Sequence, residues 1–281
     1  MPINYPASPD SLSNPTESTF TDDSGFFLDV VVGTLNDIAE ALEVGLGYGS
    51  GQQTPVRGTA RIAGATGESL WDRYARRNLI VNGTGRTKQR TTMPTTDNSY
   101  AIDRMRLLME NANGFTITQE TSTLPTAPGP KTGYRFTVGS GNNGKGGGFW
   151  PIVAVDMDDL AGGAVSLQMK GYISNARLAN LRMGIAQFVG TADAISGDPV
   201  SSWGADGTNP TLSANWSFVN TPASLALTAT TWTQKYVENQ TVSSSATNLA
   251  VIIWNDARTT TAADFFIVTD IQLERGSVCT A

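Results

Sequence analysis

The chain has 281 residues with a formal net charge of −6, one cysteine and no histidine, and only 16% of its residues are charged. The length is enough to bury a sizeable core, and the acidic balance argues against nucleic acid, whose binding draws on clustered Lys and Arg. Without imidazole there is no Ser-His-Asp or Cys-His nucleophile system and no HExxH zinc site. With Cys279 alone, no intrachain disulfide forms.

In chain order, residues 1–27 are rich in Pro, Ser, Thr and Asp, with prolines at 2, 6, 9 and 15. Such a composition buries too little apolar surface to offset its ordering entropy, so an extended arm held by an external partner is expected. The opening residues lack a basic start followed by an apolar run, and no stretch reaches 18 uninterrupted apolar residues. Neither an export signal nor membrane insertion is therefore expected.

Residues 28–47 read LDVVVGTLNDIAEALEVGLG, in which Leu28, Val31, Leu35, Ile38 and Leu42 keep 3-4-3-4 spacing. This predicts a short helix, capped by Thr34 and closed by Gly45 and Gly47. It either lies on its own domain or joins symmetry-related copies in a parallel bundle. The bundle is favoured, because an arm and a Gly-rich connector flank the helix and offer it little to pack against. Residues 48–77 form that connector, where Trp71 sits beside Arg73, Arg76 and Arg77.

From residue 78 to 281 alternation takes over. FTITQ at 115, YRFTV at 134, VSLQMKGYI at 165, TWTQKYV at 231 and FIVTDIQL at 266 each show period two, with Val165, Leu167, Met169 and Ile173 opposite Ser166, Gln168 and Lys170. AVIIW at 250 is apolar on both faces, which predicts a central strand. Turn residues separate these runs, so the fold class is mainly β: an antiparallel two-sheet sandwich of jelly-roll type, preceded by an extended arm and one short helix.

GSGNNGKG at 139 is one hydroxyl short of a phosphate-binding loop, with Gly139, Gly144 and Lys145 in place and Gly146 where Ser or Thr is needed. Such a loop must lead into a helix, whose end amides bind phosphate. Gly147, Gly148 and Pro151 oppose a helix, and Ile152–Val155 reads as a strand, so the stretch is expected to connect two strands.

Sugar recognition calls for exposed aromatic faces beside planar polar groups. Trp203 in SSWGADG and Trp216 in SANWSF lie in a Gly-, Ser- and Asn-rich stretch and are the candidate exposed rings, with Trp150 bordering the glycine loop. Trp203 and Trp216 are each either part of a glycan surface or a loop anchor, and Trp150 either joins that surface or caps the sandwich. Trp232 and Trp254, within strands, read as core. Asp156, Asp158 and Asp159 form a solvated turn or contribute to a calcium site. Asp103 and Arg104 suit a buried ion pair, and Gln272, Glu274 and Gly276 mark the last strand and its closing turn.

Five stretches together resemble a module of tailed-bacteriophage fibres and virion decoration proteins: RNLIVNG at 77 followed by QR at 89, YAIDRM at 100, DLAGGAVSLQMKGYIS at 159, TATTWTQKYV at 228 and IVTDIQLERGSVCTA at 267. PINYPASPDSLSNPT followed by NDIAEALE is similar to the opening of many such fibres. The resemblance implies a jelly roll like carbohydrate-binding modules, a homotrimer, and no enzymatic activity or cofactor. It further implies an arm docking on tail or capsid proteins, for which Ile3, Tyr5, Pro6, Leu12 and Phe20 are the candidate contacts, and a domain exposed on the virion toward host-surface glycan. A capsid decoration protein or head fibre and a glycan depolymerase are the alternatives.

Overall fold

Short alternating segments separated by turn residues fold as the period-two pattern dictates. The computed structural model describes residues 78–126, 129–139, 144–157, 160–257 and 261–280. The arm contacts Ile3, Tyr5, Pro6, Leu12 and Phe20, the heptad positions Leu28, Val31, Leu35, Ile38 and Leu42, the connector, Asp158 and Asp159 lie outside the described residues.

The described residues form thirteen strands: β1 (Ser99–Tyr100), β2 (Arg106–Met109), β3 (Phe115–Glu120), β4 (Gly133–Val138), β5 (Gly146–Ile152), β6 (Ala164–Ile173), β7 (Leu181–Phe188), β8 (Val200–Ser202), β9 (Thr211–Leu212), β10 (Trp216–Phe218), β11 (Thr233–Thr241), β12 (Asn248–Asn255) and β13 (Phe265–Arg275). One sheet has the order β1-β2-β5-β12-β7-β10, the other β11-β6-β13-β4-β3, and β8 pairs only with β9. Pairing within the sheets is antiparallel throughout. The result is a mainly β, two-sheet sandwich of jelly-roll type.

The main core lies between the sheets. Val165, Leu167, Met169 and Ile173 of β6 point into it, as their phase predicts, and meet Met183 and Ile185 of β7 and Val251 and Ile253 of β12. Strand β12 is central, paired on one side with β5 and on the other with β7. Its second apolar face needs a cover of its own. Leu108, Phe149, Ile252 and Trp254 on the outside of the six-stranded sheet join Val200, Trp203 and Trp216 in a second buried cluster, against which Ile195, Leu212 and Phe218 pack. Residues 195–212 thus roof the outer face of this sheet.

Two expectations are corrected. The strand after the glycine loop is Gly146–Ile152, and a single turn of 3-10 helix at Ala154–Asp156 follows it. The glycines belong to the strand because it runs against large rings: a Cβ on Gly148 would lie 2.4 Å from the Trp150 ring and 3.0 Å from Phe136. Nor do Asp103 and Arg104 pair. Arg104 is exposed at positive φ in a turn, while an Asp103 carboxylate oxygen accepts from the Gln89 amide. A turn so tight splays neighbouring side chains apart.

Strand β7 alternates in sequence, Leu181, Met183 and Ile185 in the main core and Ala186 and Phe188 in the second cluster, yet it is buried on both faces over most of its length, Arg182 and Gly184 included. The final strand ends at Arg275 and turns at Gly276, whose φ is 118°.

Candidate functional site

The two outer faces of the sandwich differ. That of the six-stranded sheet is closed by residues 195–212, fastened by two buried clamps. In the first, Arg106, 2% exposed, donates to the carbonyls of Ile195, Ser196 and Gly197 and to Asn98, and its guanidinium lies 4.3 Å from the Phe149 ring centre. Burial lowers its pKa from the ordinary value, against Tyr100, Asp198 and Asp97. In the second, Asp256 accepts from Lys145 at 2.5 Å and Arg182 at 2.6 Å, and both cations reach back to the roof. Lys145 donates to the Ala205 carbonyl, and Arg182 to Gly207 and Asn209.

This is the fate of the near phosphate loop. Its lysine is 1% exposed and spends its charge on a buried carboxylate, and a strand stands where a phosphate loop needs a helix.

Packing on both sides of the six-stranded sheet places the tryptophans. Trp203 is 7%, Trp216 9% and Trp150 1% exposed. Trp216 packs edge-on against Phe149 and tilts on Phe188, and Trp150 meets Tyr134 edge-on inside the main core. None of the three offers a ring to a ligand, so of the readings left open by the sequence the buried anchor is the one their burial fits. A polar, Gly-rich sequence context does not expose a tryptophan when an apolar sheet face lies within reach. Trp254 is core, as predicted, but Trp232 is only partly buried.

Among the described residues, the open face is that of the five-stranded sheet. On β6 the polar phase runs Ser166, Gln168, Lys170 and then Tyr172, so Tyr172 faces outward. Strand β11 pairs Gln234 with Lys170, which puts Trp232 beside Tyr172 on the same side. Their rings are 5.4 Å apart, and Tyr172 stacks on Phe265 of β13 at 6.1 Å and 17°. Arg135 of β4 completes the row with its guanidinium 3.6 Å from the Phe265 ring centre. Beneath the row, Ile267 pairs with both Tyr172 and Arg135 and is fully covered.

Polar groups flank these half-buried rings. Lys170 and Asp270 form an ion pair at 2.9 Å, with side chains 31% and 38% exposed. Arg135 bonds Glu120 at 3.1 Å. Burial works to raise the Glu120 carboxyl, but the backbone amides of Thr123 and Ser122 and the Arg135 guanidinium outweigh it and hold the group below the usual carboxylate range. The other end of the face is an amide ladder closed by the C-terminal segment: Gln234 donates to Gln168, Gln168 donates to Gln272 and to the Thr280 carbonyl, and Thr280 donates to Glu274. The face thus has a locked polar half and a half-open aromatic one.

Half-exposed rings with hydrogen-bonding side chains beside them suit a flat, amphipathic ligand such as a sugar ring, whose C–H surface stacks while its hydroxyls find partners. The residues are legible in hindsight. Tyr172 continues the phase of Ser166, Gln168 and Lys170, and Trp232 shares the phase of Gln234 and Tyr236. A tryptophan within a strand reads as core, but the place of Trp232 in the alternation points outward. Among the described residues, no group of three metal-ligating side chains gathers, around Asp156 or elsewhere.

No family model matches the chain, and no curated protein matches it in sequence. Solved structures similar to it include the enzymatically active domain of tailspike protein 4 from bacteriophage CBA120 (TM-score 0.45, 11% identity, 71% of this chain and 21% of that one). Others are a family 16 carbohydrate-binding module (TM-score 0.39, 18% identity, 70% and 99%) and the module TmCBM61 in complex with β-1,4-galactotriose (TM-score 0.38, 11% identity, 71% and 99%). The chain spans about a fifth of the length of the tailspike chain it matches.

Proposed function

We propose that this chain is a non-enzymatic structural protein of a tailed-phage virion, a trimeric tail fibre or fibre-like component. Its N-terminal arm anchors it, and its sandwich contacts host-surface glycan through Trp232, Tyr172 and Phe265. One observation carries the glycan reading: of the two outer sheet faces, one is roofed by residues 195–212 and the other holds half-open aromatic rings with Lys170, Asp270 and Arg135 alongside. What supports the virion context is the sequence, through its five motifs and its arm.

Two features of the face favour binding over hydrolysis. Glycoside cleavage requires a carboxylic acid with a raised pKa as proton donor, whereas Glu120 is held below its ordinary value and is 4% exposed. Asp270 is engaged by Lys170.

Affinity electrophoresis through gels containing host-surface polysaccharide tests the reading. The wild-type protein should be retarded and Trp232→Ala should run freely, with no reducing ends released. Equal retardation of both proteins would remove the face, and sustained release of reducing ends would make the protein a depolymerase. Maps of whole particles locate the arm, and density on the capsid would make the protein a decoration or head fibre. For the trimer, Leu35→Asp combined with Ile38→Asp should give monomers in light scattering; an unchanged mass would take the helix out of the assembly.

A further inference from the structure

At the lateral edge of the sandwich, strand β11 faces the segment 219–225, which runs beside β7 through bonds from Val219 to Ile185 and from Leu225 to Leu181. Between them lies a groove of about 350 Å³, within the range of small-molecule sites. Met183, Leu225 and Val237 supply apolar wall, and Thr221, Tyr236 and Gln240 supply polar groups. Asn220 fixes the segment side, since its carboxamide oxygen accepts from the Ile185 amide and its nitrogen donates to the Met183 carbonyl.

Among the described residues, Lys235 is the single charged one in this lining, and no carboxylate belongs to it. Its β-ladder partner Met169 is a core residue, so Lys235 sits on the inward phase of an edge strand. Among the described residues it makes no ion pair. A lone cation with hydroxyl and amide groups beside it selects for a carboxylate that also carries hydroxyls and an apolar face, a local attraction that works against the long-range field of a chain of net charge −6. Tyr236, 54% exposed, stands on the same strand between this groove and the aromatic face.

We infer that this groove is a second subsite, which takes a carboxylate-bearing sugar residue, a uronate or a sialate, with Lys235 against the carboxylate. This inference rests on the reading of the aromatic face as a glycan site, because one saccharide following β11 from Trp232 to Tyr236 would occupy both. The separation is four residues, about 13 Å at the rise of a strand. An inward lysine also guards an edge strand against pairing with another chain, and the test separates that role from binding.

The test is calorimetric titration of the full chain with oligosaccharides of galacturonate, glucuronate and N-acetylneuraminate, each beside its methyl ester, which keeps the shape and removes the charge. At least one free acid should bind about tenfold or more tighter than its ester. Lys235→Gln should abolish that preference with the ester's affinity unchanged, and Lys235→Arg should restore it. Trp232→Ala should weaken acid and ester alike. A preference that survives in Lys235→Gln, or no preference in the wild type, overturns the subsite while leaving the aromatic face standing. Trp232→Ala binding both forms as the wild type does would instead remove the face. A purely protective lysine would show itself as aggregation of Lys235→Gln with no change in the preference.

Discussion

Lys145 and Asp256, 111 residues apart in the chain, meet at 2.5 Å with both side chains fully buried. Arg182 holds the second carboxylate oxygen at 2.6 Å, and the Gly207 amide adds a bond of 3.1 Å. One carboxylate thus ties β5, β7 and the roof to the residue that follows β12.

Removing that carboxylate leaves two cations in the interior. Asp256→Ala is expected to cost about 3–5 kcal/mol, the scale of a buried pair broken on one side. Lys145→Met should cost less, about 1–3 kcal/mol, because Arg182 and the Gly207 amide still hold Oδ2 and the charge of Asp256, and only Oδ1 loses its partner. Urea unfolding monitored by tryptophan fluorescence measures both, and an equal cost for the two would show that Lys145 and Arg182 do not share the carboxylate as described.

The tryptophans should divide by role. Trp216→Ala empties a site among Phe149 and Phe188 and should lose about 3–5 kcal/mol, as large-to-small changes in cores do. Glycan retardation should persist at temperatures where the variant remains folded. Trp232→Ala should do the reverse, abolishing retardation at a cost of about 1 kcal/mol or less, on the scale of an aromatic pair. If Trp216→Ala instead abolished glycan binding without loss of stability, the second buried cluster would be misassigned.

Gly148 is constrained by its neighbours. A Cβ there would fall 2.4 Å from the Trp150 ring, far inside van der Waals contact, so Gly148→Ala should destabilise by about 1–3 kcal/mol as overpacking does. Near-ultraviolet circular dichroism should report a displaced Trp150. An unshifted melting temperature would contradict the packing.

Acid should favour the roof's attachment. Burial pushes Asp198 up to about 6, with Asp97 adding repulsion and with the Val200 amide and Arg106 opposing. The folded pKa therefore lies above the ordinary value of 3.8, so the folded protein binds this proton more tightly than the unfolded chain does. Its contribution to stability is complete below about pH 4 and is lost as the pH rises through 6. Asp198→Asn should flatten the stability profile over that interval and raise stability at pH 7 by about 1–2 kcal/mol, discounted for partial exposure. Thermal unfolding at pH 4, 6 and 7 checks it, and a profile as steep as the wild type's would refute it.

The sequence by itself determined the strands whose two faces differ. The pattern in VSLQMKGYI and its partners is local, because neighbouring side chains on a strand alternate sides whatever the rest of the chain does, and it carried the sandwich with it. The doubly apolar AVIIW likewise announced a central strand. Only tertiary structure decided what covers that strand's second face, since the cover comes from Trp203 and Trp216, residues whose local context reads as exposed loop. The same holds for Lys145, which local sequence places in a glycine loop and long-range pairing places in the core. Trp232 shows the converse: a tryptophan within a strand reads as interior, while its phase on an edge strand, next to Tyr172, puts it at the surface. Burial depends on which distant segment returns to a face, and alternation along one strand carries no information about that.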